Sequence, residues 1–138
     1  MTARKRVVEA ARKRTAPKVQ SIRVRVMPDE DPDTSHFDSG DPEYKDQDED
    51  RREQYERGDF SFVGVRAEAE VVIEGVVQTL TSGALWGIES DSGEEYIEGV
   101  ALEEYDGLRD ILKAVGVSTS EVPVGNREMI RPLIKWEA

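Results

Sequence analysis

A chain of 138 residues is long enough for one domain with a real core and too short for two ordinary ones. Hydrophobic residues make up 37% and charged residues 36%, a balance that leaves part of the chain short of apolar surface, and the net charge of −11 argues against broad phosphate-backbone binding by a folded body. Cysteine is absent, which excludes disulfides, thiolate metal sites and cysteine nucleophiles and suits a reducing cytoplasm.

The charge is unevenly spread. Residues 1–20 carry seven Lys/Arg against one acid, Glu9, and read as a basic arm that Pro17 ends; its Val7, Val8, Ala10 and Ala11 offer little apolar anchorage. Arg4, Lys5, Arg6, Arg12, Lys13 and Arg14 are the residues there that would contact nucleic acid or an acidic protein. The arm has no apolar stretch of secretory-signal length, and no window approaches 18 apolar residues, so the expectation is a cytoplasmic protein without membrane attachment.

Ser21–Pro28 alternates Ile22, Val24 and Val26 with Arg23 and Arg25, the period of a half-buried strand stopped by Pro28. Residues 29–50 then place eleven acids against one base, Lys45, with prolines nearby, which predicts a long loop or disordered segment. A helical turn or two follows, closed at Gly58. Phe60–Ile73 is the strongest strand signal: Val63, Val65, Ala67, Ala69, Val71 and Ile73 share one face, with Phe60, Phe62, Arg66, Glu68 and Glu70 on the other. A Glu74-Gly75 hairpin turn would put Val71 opposite Gln78, Glu70 opposite Thr79 and Ala69 opposite Leu80. A third antiparallel strand, LWGIES, is expected after a turn at Ser82-Gly83, with Trp86 and Ile88 on its core face. Ser90-Asp91-Ser92-Gly93 reads as a side-chain-capped helix start. The helix brings Ile97, Ala101, Tyr105, Leu108, Leu112 and Val115 to one stripe and ends at Gly116, with Gly99 and Gly107 as weak points. In the last twenty residues Pro123 and Pro132 break any long element, and Leu133, Ile134 and Trp136 read as an edge strand or tail.

These readings give an α+β fold: an antiparallel meander of three or four strands with one main helix packed on one face. The organisation expected is a basic arm at 1–20, a domain at 21–117 with the acidic loop 29–50 inside it, and a C-terminal tail at 118–138.

The run GDFSFVGVRAEAEV at 58–71, with TSGALWGIESDSGEEY at 81–96, resembles a family of small acidic proteins of bacteria and their phages or mobile elements. The likeness covers roughly residues 22–117, and Ala84 stands where that pattern has a second Gly. It implies a shared α+β fold and a mobile-element context; it carries no activity or catalytic residue.

Catalytic signatures are weak. The sole histidine, His36, sits in the acidic loop, where Ser35 or Ser39 and an aspartate make a triad by inventory but not by geometry. Calcium-loop spacing fails: counting from Asp29 puts Thr34 and Gly40 at the two decisive positions, and counting from Asp46 puts Arg51 and Arg57 there. No Gly-x-Gly or Gly-Lys-Ser/Thr motif offers a phosphate cradle. Neither cofactor nor metal is expected. The expected function is therefore a non-catalytic protein-interaction protein, in its specific form an anti-defence inhibitor whose acidic surface, a DNA mimic, occupies a basic site on a host nucleic-acid enzyme. Candidate contact residues are Asp29, Glu30, Asp31, Asp33, Asp46, Asp48, Glu49 and Asp50, with Trp86, Glu89 and Asp91 added because a structural corner rarely needs all three. Two alternatives are a nucleic-acid accessory protein working through the arm and a carboxylate-based hydrolase using Glu94, Glu95, Glu98, Glu103 and Glu104, a set that otherwise reads as a solvated helix face.

Overall fold

The computed structural model describes residues 16–137. Its elements in chain order are β1 (Lys18–Pro28), α1 (Lys45–Glu56), β2 (Phe62–Ile73), β3 (Val76–Thr81), β4 (Leu85–Glu89), α2 (Glu94–Ala114), α3 (Arg127–Ile130) and β5 (Ile134–Trp136). They form an α+β fold in which β1, β2 and β3 are an antiparallel meander. The β2–β3 register is the expected one, Val71 with Gln78, Glu70 with Thr79 and Ala69 with Leu80. Glu74 and Gly75 close the hairpin with φ of 51° and 82°, the left-handed pair a two-residue turn needs.

The main core lies between this sheet and α2. Val24, Val26, Val63, Val65, Ala67, Ala69 and Val71 from the sheet meet Ile97, Val100, Ala101, Tyr105, Leu108 and Leu112 from the helix, and all are buried. Helix α2 runs unbroken through Gly99 and Gly107, since tertiary packing outweighs their propensity cost of about 1 kcal/mol each. It ends as expected at Gly116, with φ of 98° and the Val117 N–H returning to Leu112 O at 2.9 Å.

Four features depart from the sequence expectations. First, the chain does not reverse at Ser82-Gly83. Strand β4 pairs with the N-terminal half of β2, Phe62 with Glu89 and Val63 with Ile88, along the same edge that β3 occupies further on. An excursion at Ser82–Ala84 joins the two. Ser82 stitches it to β2 by donating its N–H to Ala67 O and accepting the Ala67 N–H on its hydroxyl, each at 2.9 Å.

Second, Trp86 and Ile88 do not share a face. Gly87 at φ 75° makes a bulge, matched by the register shift between Val63 and Val65, and this sends Ile88 into the core while Trp86 turns outward and stays 47% exposed. Third, α2 starts at Gly93 without a side-chain cap; Ser90 instead accepts the Ser61 N–H on its hydroxyl, and Ser92 donates its hydroxyl proton to Glu89 O.

Fourth, residues 118–137 belong to the domain. Val122 and Ile130 are fully buried in the core, and β5 pairs in parallel with β1, Val24 with Ile134 and Val26 with Trp136, making the sheet mixed. The prolines break the segment into short pieces without freeing it. Tyr105 donates its hydroxyl to Pro123 O at 2.6 Å, Arg109 donates to Val122 O, and Glu121 accepts the Val19 N–H at the bulge in β1.

Candidate functional site

The acidic segment 29–50 is ordered, against the expectation of a loose loop. It makes helical turns at Ser35–Asp38 and Pro42–Tyr44 and then enters α1. The cause is a second, aromatic core: Phe37, Phe60 and Phe62, all three phenylalanines of the chain, are buried together, with Tyr55 of α1 packed against them. Ring centroids lie 5.2 to 6.3 Å apart among these four. Phe60 and Phe62 reach this cluster because their side of the sheet is opposite the Val63–Val71 face. One face of the β2 segment thus builds the main core and the other anchors the acidic segment.

Arginines complete the anchorage. The Arg51 guanidinium carbon sits 3.6 Å from the centroid of the Phe60 ring. Its Nε donates to Glu89 at 2.6 Å, and its two terminal nitrogens donate to Asp91 at 3.0 and 2.5 Å. The hydrogen bonds from Arg51, with its charge adding to them, hold the Asp91 carboxyl below its ordinary range. Arg52 donates to Phe37 O at 2.9 Å. Asp29 accepts the Gly87 N–H at 3.1 Å, tying the start of the segment to the β4 bulge. Asp48 accepts both the hydroxyl and the N–H of Ser39, at 2.6 and 3.1 Å, and these bonds lower its pKa.

The candidate contact residues therefore divide. Glu89, Asp91, Asp29 and Asp48 fix the segment in place, and Asp33 accepts the Ser35 N–H in a local turn. Glu30, Asp31, Asp46, Glu49 and Asp50 are exposed. Trp86 packs over Gly64. Beside the exposed acids lies a cavity of about 410 Å³ lined by Phe37, Asp38, Asp41, Lys45, Asp48, Glu49 and Arg52 among others. His36 packs against Phe37 and Phe62, with centroids 4.3 and 5.6 Å away. The arm residues Arg4, Lys5, Arg6, Arg12, Lys13 and Arg14 lie outside the described residues.

Two carboxylates that sequence reasoning missed are buried. Glu68 is 2% exposed on the face of β2 away from α2. One of its oxygens accepts from Arg25 at 2.9 Å and Arg66 at 2.7 Å, the other from Arg23 at 2.7 Å. Burial opposes its charge, but the bonds from Arg25, Arg66 and Arg23 win and hold its pKa low. Arg25 also grips Glu137 beyond β5 with two bonds of 2.6 and 2.7 Å. Glu98, read from sequence as part of a solvated face, is 6% exposed, bound by Arg131 at 2.7 Å and Arg127 at 3.3 Å. Its charge is matched by the C-terminal segment. Glu104 accepts from the Ser82 hydroxyl at 2.9 Å, while Glu94, Glu95 and Glu103 are exposed. The strand alternation of Arg23 and Arg25 opposite Glu68 and Glu70 was a usable signal for the first cluster; Glu98 offered none, because its partners are about thirty residues away.

Among the described residues no group of three or more His, Asp or Glu side chains is arranged to hold a metal ion, and no helix is long and apolar enough to cross a membrane. Comparison with protein-family models, curated proteins and solved structures finds no match.

Proposed function

We propose that the protein acts by binding, presenting the acidic face of residues 29–50 to a basic surface on another protein. The observation that supports this reading is the anchorage itself: an aromatic core and the Arg51 clamp hold a segment with eleven acids in one shape. A segment serving only solubility requires neither. A preformed acidic face meets its partner without the entropy cost of ordering a loop, and its field speeds encounter with a basic patch. The anion array suits a protein groove that otherwise holds nucleic-acid phosphates. With the resemblance of the 58–71 and 81–96 runs to proteins of mobile elements, the specific form is an inhibitor of a host nucleic-acid enzyme.

The test changes only exposed acids and leaves the clamp intact. The triple variant Asp46→Lys, Glu49→Lys, Asp50→Lys is compared with the wild-type chain in capture from bacterial lysate at low and moderate salt. The expected result is a basic nucleic-acid-processing partner that the wild type retains and inhibits and the variant does not. Retention of the same proteins by both chains, or no salt-dependent partner at all, overturns the reading.

A further inference from the structure

We propose that two copies of this chain pair through the outer edge of β3, joining their sheets across a two-fold axis at Thr79. Strand β3 lies at the end of the sheet, and among the described residues no strand covers its outer side. Its sequence, VVQTLT, has neither a charge nor a proline in a chain where more than one residue in three is charged. It carries none of the devices that usually blunt an exposed edge.

The hydrogen-bond parity sets the register. Ser82 donates its N–H inward to Ala67 O, so Leu80, Gln78 and Val76 also face β2. The backbone N–H and C=O groups of Val77, Thr79 and Thr81 consequently point away from the sheet. An antiparallel copy satisfies all of them when Thr79 faces the partner's Thr79 and Val77 faces the partner's Thr81. That register is its own mirror under a two-fold rotation, as an isologous contact requires.

The flank of the edge is apolar as well. The Ser82–Glu104 bond places the Glu104 side of α2 over this edge, and Ile111 and Val115 continue that side at helical spacing. They are 37% and 42% exposed, and Val76, opposite Ile73 on the α2 side of the strand, is 58% exposed, while Val77 on the other face of the sheet is 52% exposed. A second copy brings the same apolar strip to both sides of the joint.

Charge placement favours a second copy despite the net charge of −11. Thr79 pairs with Glu70, whereas the acidic segment is anchored at Phe62, the far end of β2. At roughly 3.3 Å per residue the separation along β2 is about 26 Å, and the two acidic segments fall at diagonally opposite ends. This exceeds the screening length of about 8 Å at physiological ionic strength, so the acidic faces do not oppose the pairing and both remain open.

The two-fold axis supplies the test. Thr79→Lys sets like charges directly across the axis, as does Thr79→Glu, while a mixture of the two sets opposite charges there. In sedimentation velocity the wild-type chain is expected to pass from monomer to dimer mass with rising concentration. Each variant alone should remain monomeric at concentrations at least tenfold above the wild-type midpoint, and the equimolar mixture should regain the dimer. Hydrogen exchange on the wild type gives a readout independent of variant folding: the Val77, Thr79 and Thr81 amides should be protected at high concentration and exchange faster on dilution. A wild type that stays monomeric to millimolar concentration, a mixture that fails to regain the dimer, or exchange at these amides that ignores concentration overturns the proposal.

Discussion

Trp86 occupies the space that a side chain on Gly64 would need. A Cβ at Gly64 would lie 2.5 Å from Trp86 Cζ3 and 2.6 Å from Cδ2, with Cε3 nearer still. The tryptophan is therefore the cover of a glycine on β2, placed there by the bulge at Gly87. Gly64→Ala should displace the ring and lower stability by about 1–3 kcal/mol, the usual cost of overpacking a close contact. Urea unfolding measures the loss. With Trp136→Phe as background, emission should shift to the red as Trp86 moves into water. In a Trp86→Ala chain the same glycine substitution should cost much less, because the three atoms nearest the added Cβ all belong to that ring.

Ala84 adopts φ of 71°, a left-handed conformation that disfavours a Cβ, at the excursion between β3 and β4. Ala84→Gly removes that penalty and leaves the stitching by Ser82 untouched. The expected gain is about 0.5–1 kcal/mol, since relief of strain exceeds the added freedom of the unfolded chain. Thermal unfolding monitored by circular dichroism reads it; an unchanged or lower midpoint would show that the Ala84 conformation is not strained.

Glu68 links three arginines on the open face of the sheet, and Arg25 carries the link on to Glu137. Glu68, Glu98 and Glu137 all have lowered pKa values, from hydrogen bonds to Arg25, Arg66 and Arg23, to Arg131 and Arg127, and to Arg25 respectively; at Glu68 burial, the largest single influence, acts against this. A carboxyl with a folded pKa below its unfolded value stabilises the fold above the unfolded value, about pH 4.3 for glutamate. That contribution declines as pH falls below the unfolded value and is gone once pH passes below the folded one. Stability should therefore be flat near neutrality and drop on the acid side. Glu68→Gln should lower neutral-pH stability by on the order of 3 kcal/mol, as breaking a buried pair does, and flatten the acid limb. Equilibrium unfolding from pH 7 to 3 checks both; a variant that keeps the full acid slope would assign the slope to other carboxylates.

Much of the sheet and of α2 was legible because period-2 and helical spacing report directly on burial. The Glu74-Gly75 turn fixed the β2–β3 register for the same local reason. The errors arose where local pattern and long-range pairing diverge. Trp86 and Ile88 alternate correctly in sequence, but one residue of bulge at Gly87 reverses the side of the tryptophan. Acid density in residues 29–50 argued for a loose segment, and three phenylalanines separated by up to twenty-five positions outweighed it. The tail is broken by proline, yet Val122 and Ile130 enter the core from separate short pieces with no periodicity to betray them. Of the candidate contacts, Glu89 and Asp91 were singled out as more than a corner requires, and the structure gives them an internal role instead: Arg51 binds both.

Arg51 joins the two halves of this arrangement, since it touches Phe60 and Gln54 on one side and Glu89 and Asp91 on the other. Arg51→Met keeps the length and apolar character of the side chain and removes its charge. Glu89 and Asp91 are then left facing each other without a cation, and α1 loses its tie to the β4–α2 corner. The expected loss is about 1–2 kcal/mol, because the guanidinium is partly exposed and its pairs are partly screened. The loss should be local. Hydrogen exchange should speed up in residues 30–56 while the amides of β2 and the buried face of α2 keep their protection. The double change Glu89→Gln with Asp91→Asn in the Arg51→Met chain should recover part of the stability, since the repulsion goes with the charges. Uniformly faster exchange across β2 and α2 would instead make the clamp a part of the main core. Local loosening would separate the roles of the acids, with the proposed binding through the exposed Asp46, Glu49 and Asp50 weakened by a segment that must be reordered at each encounter.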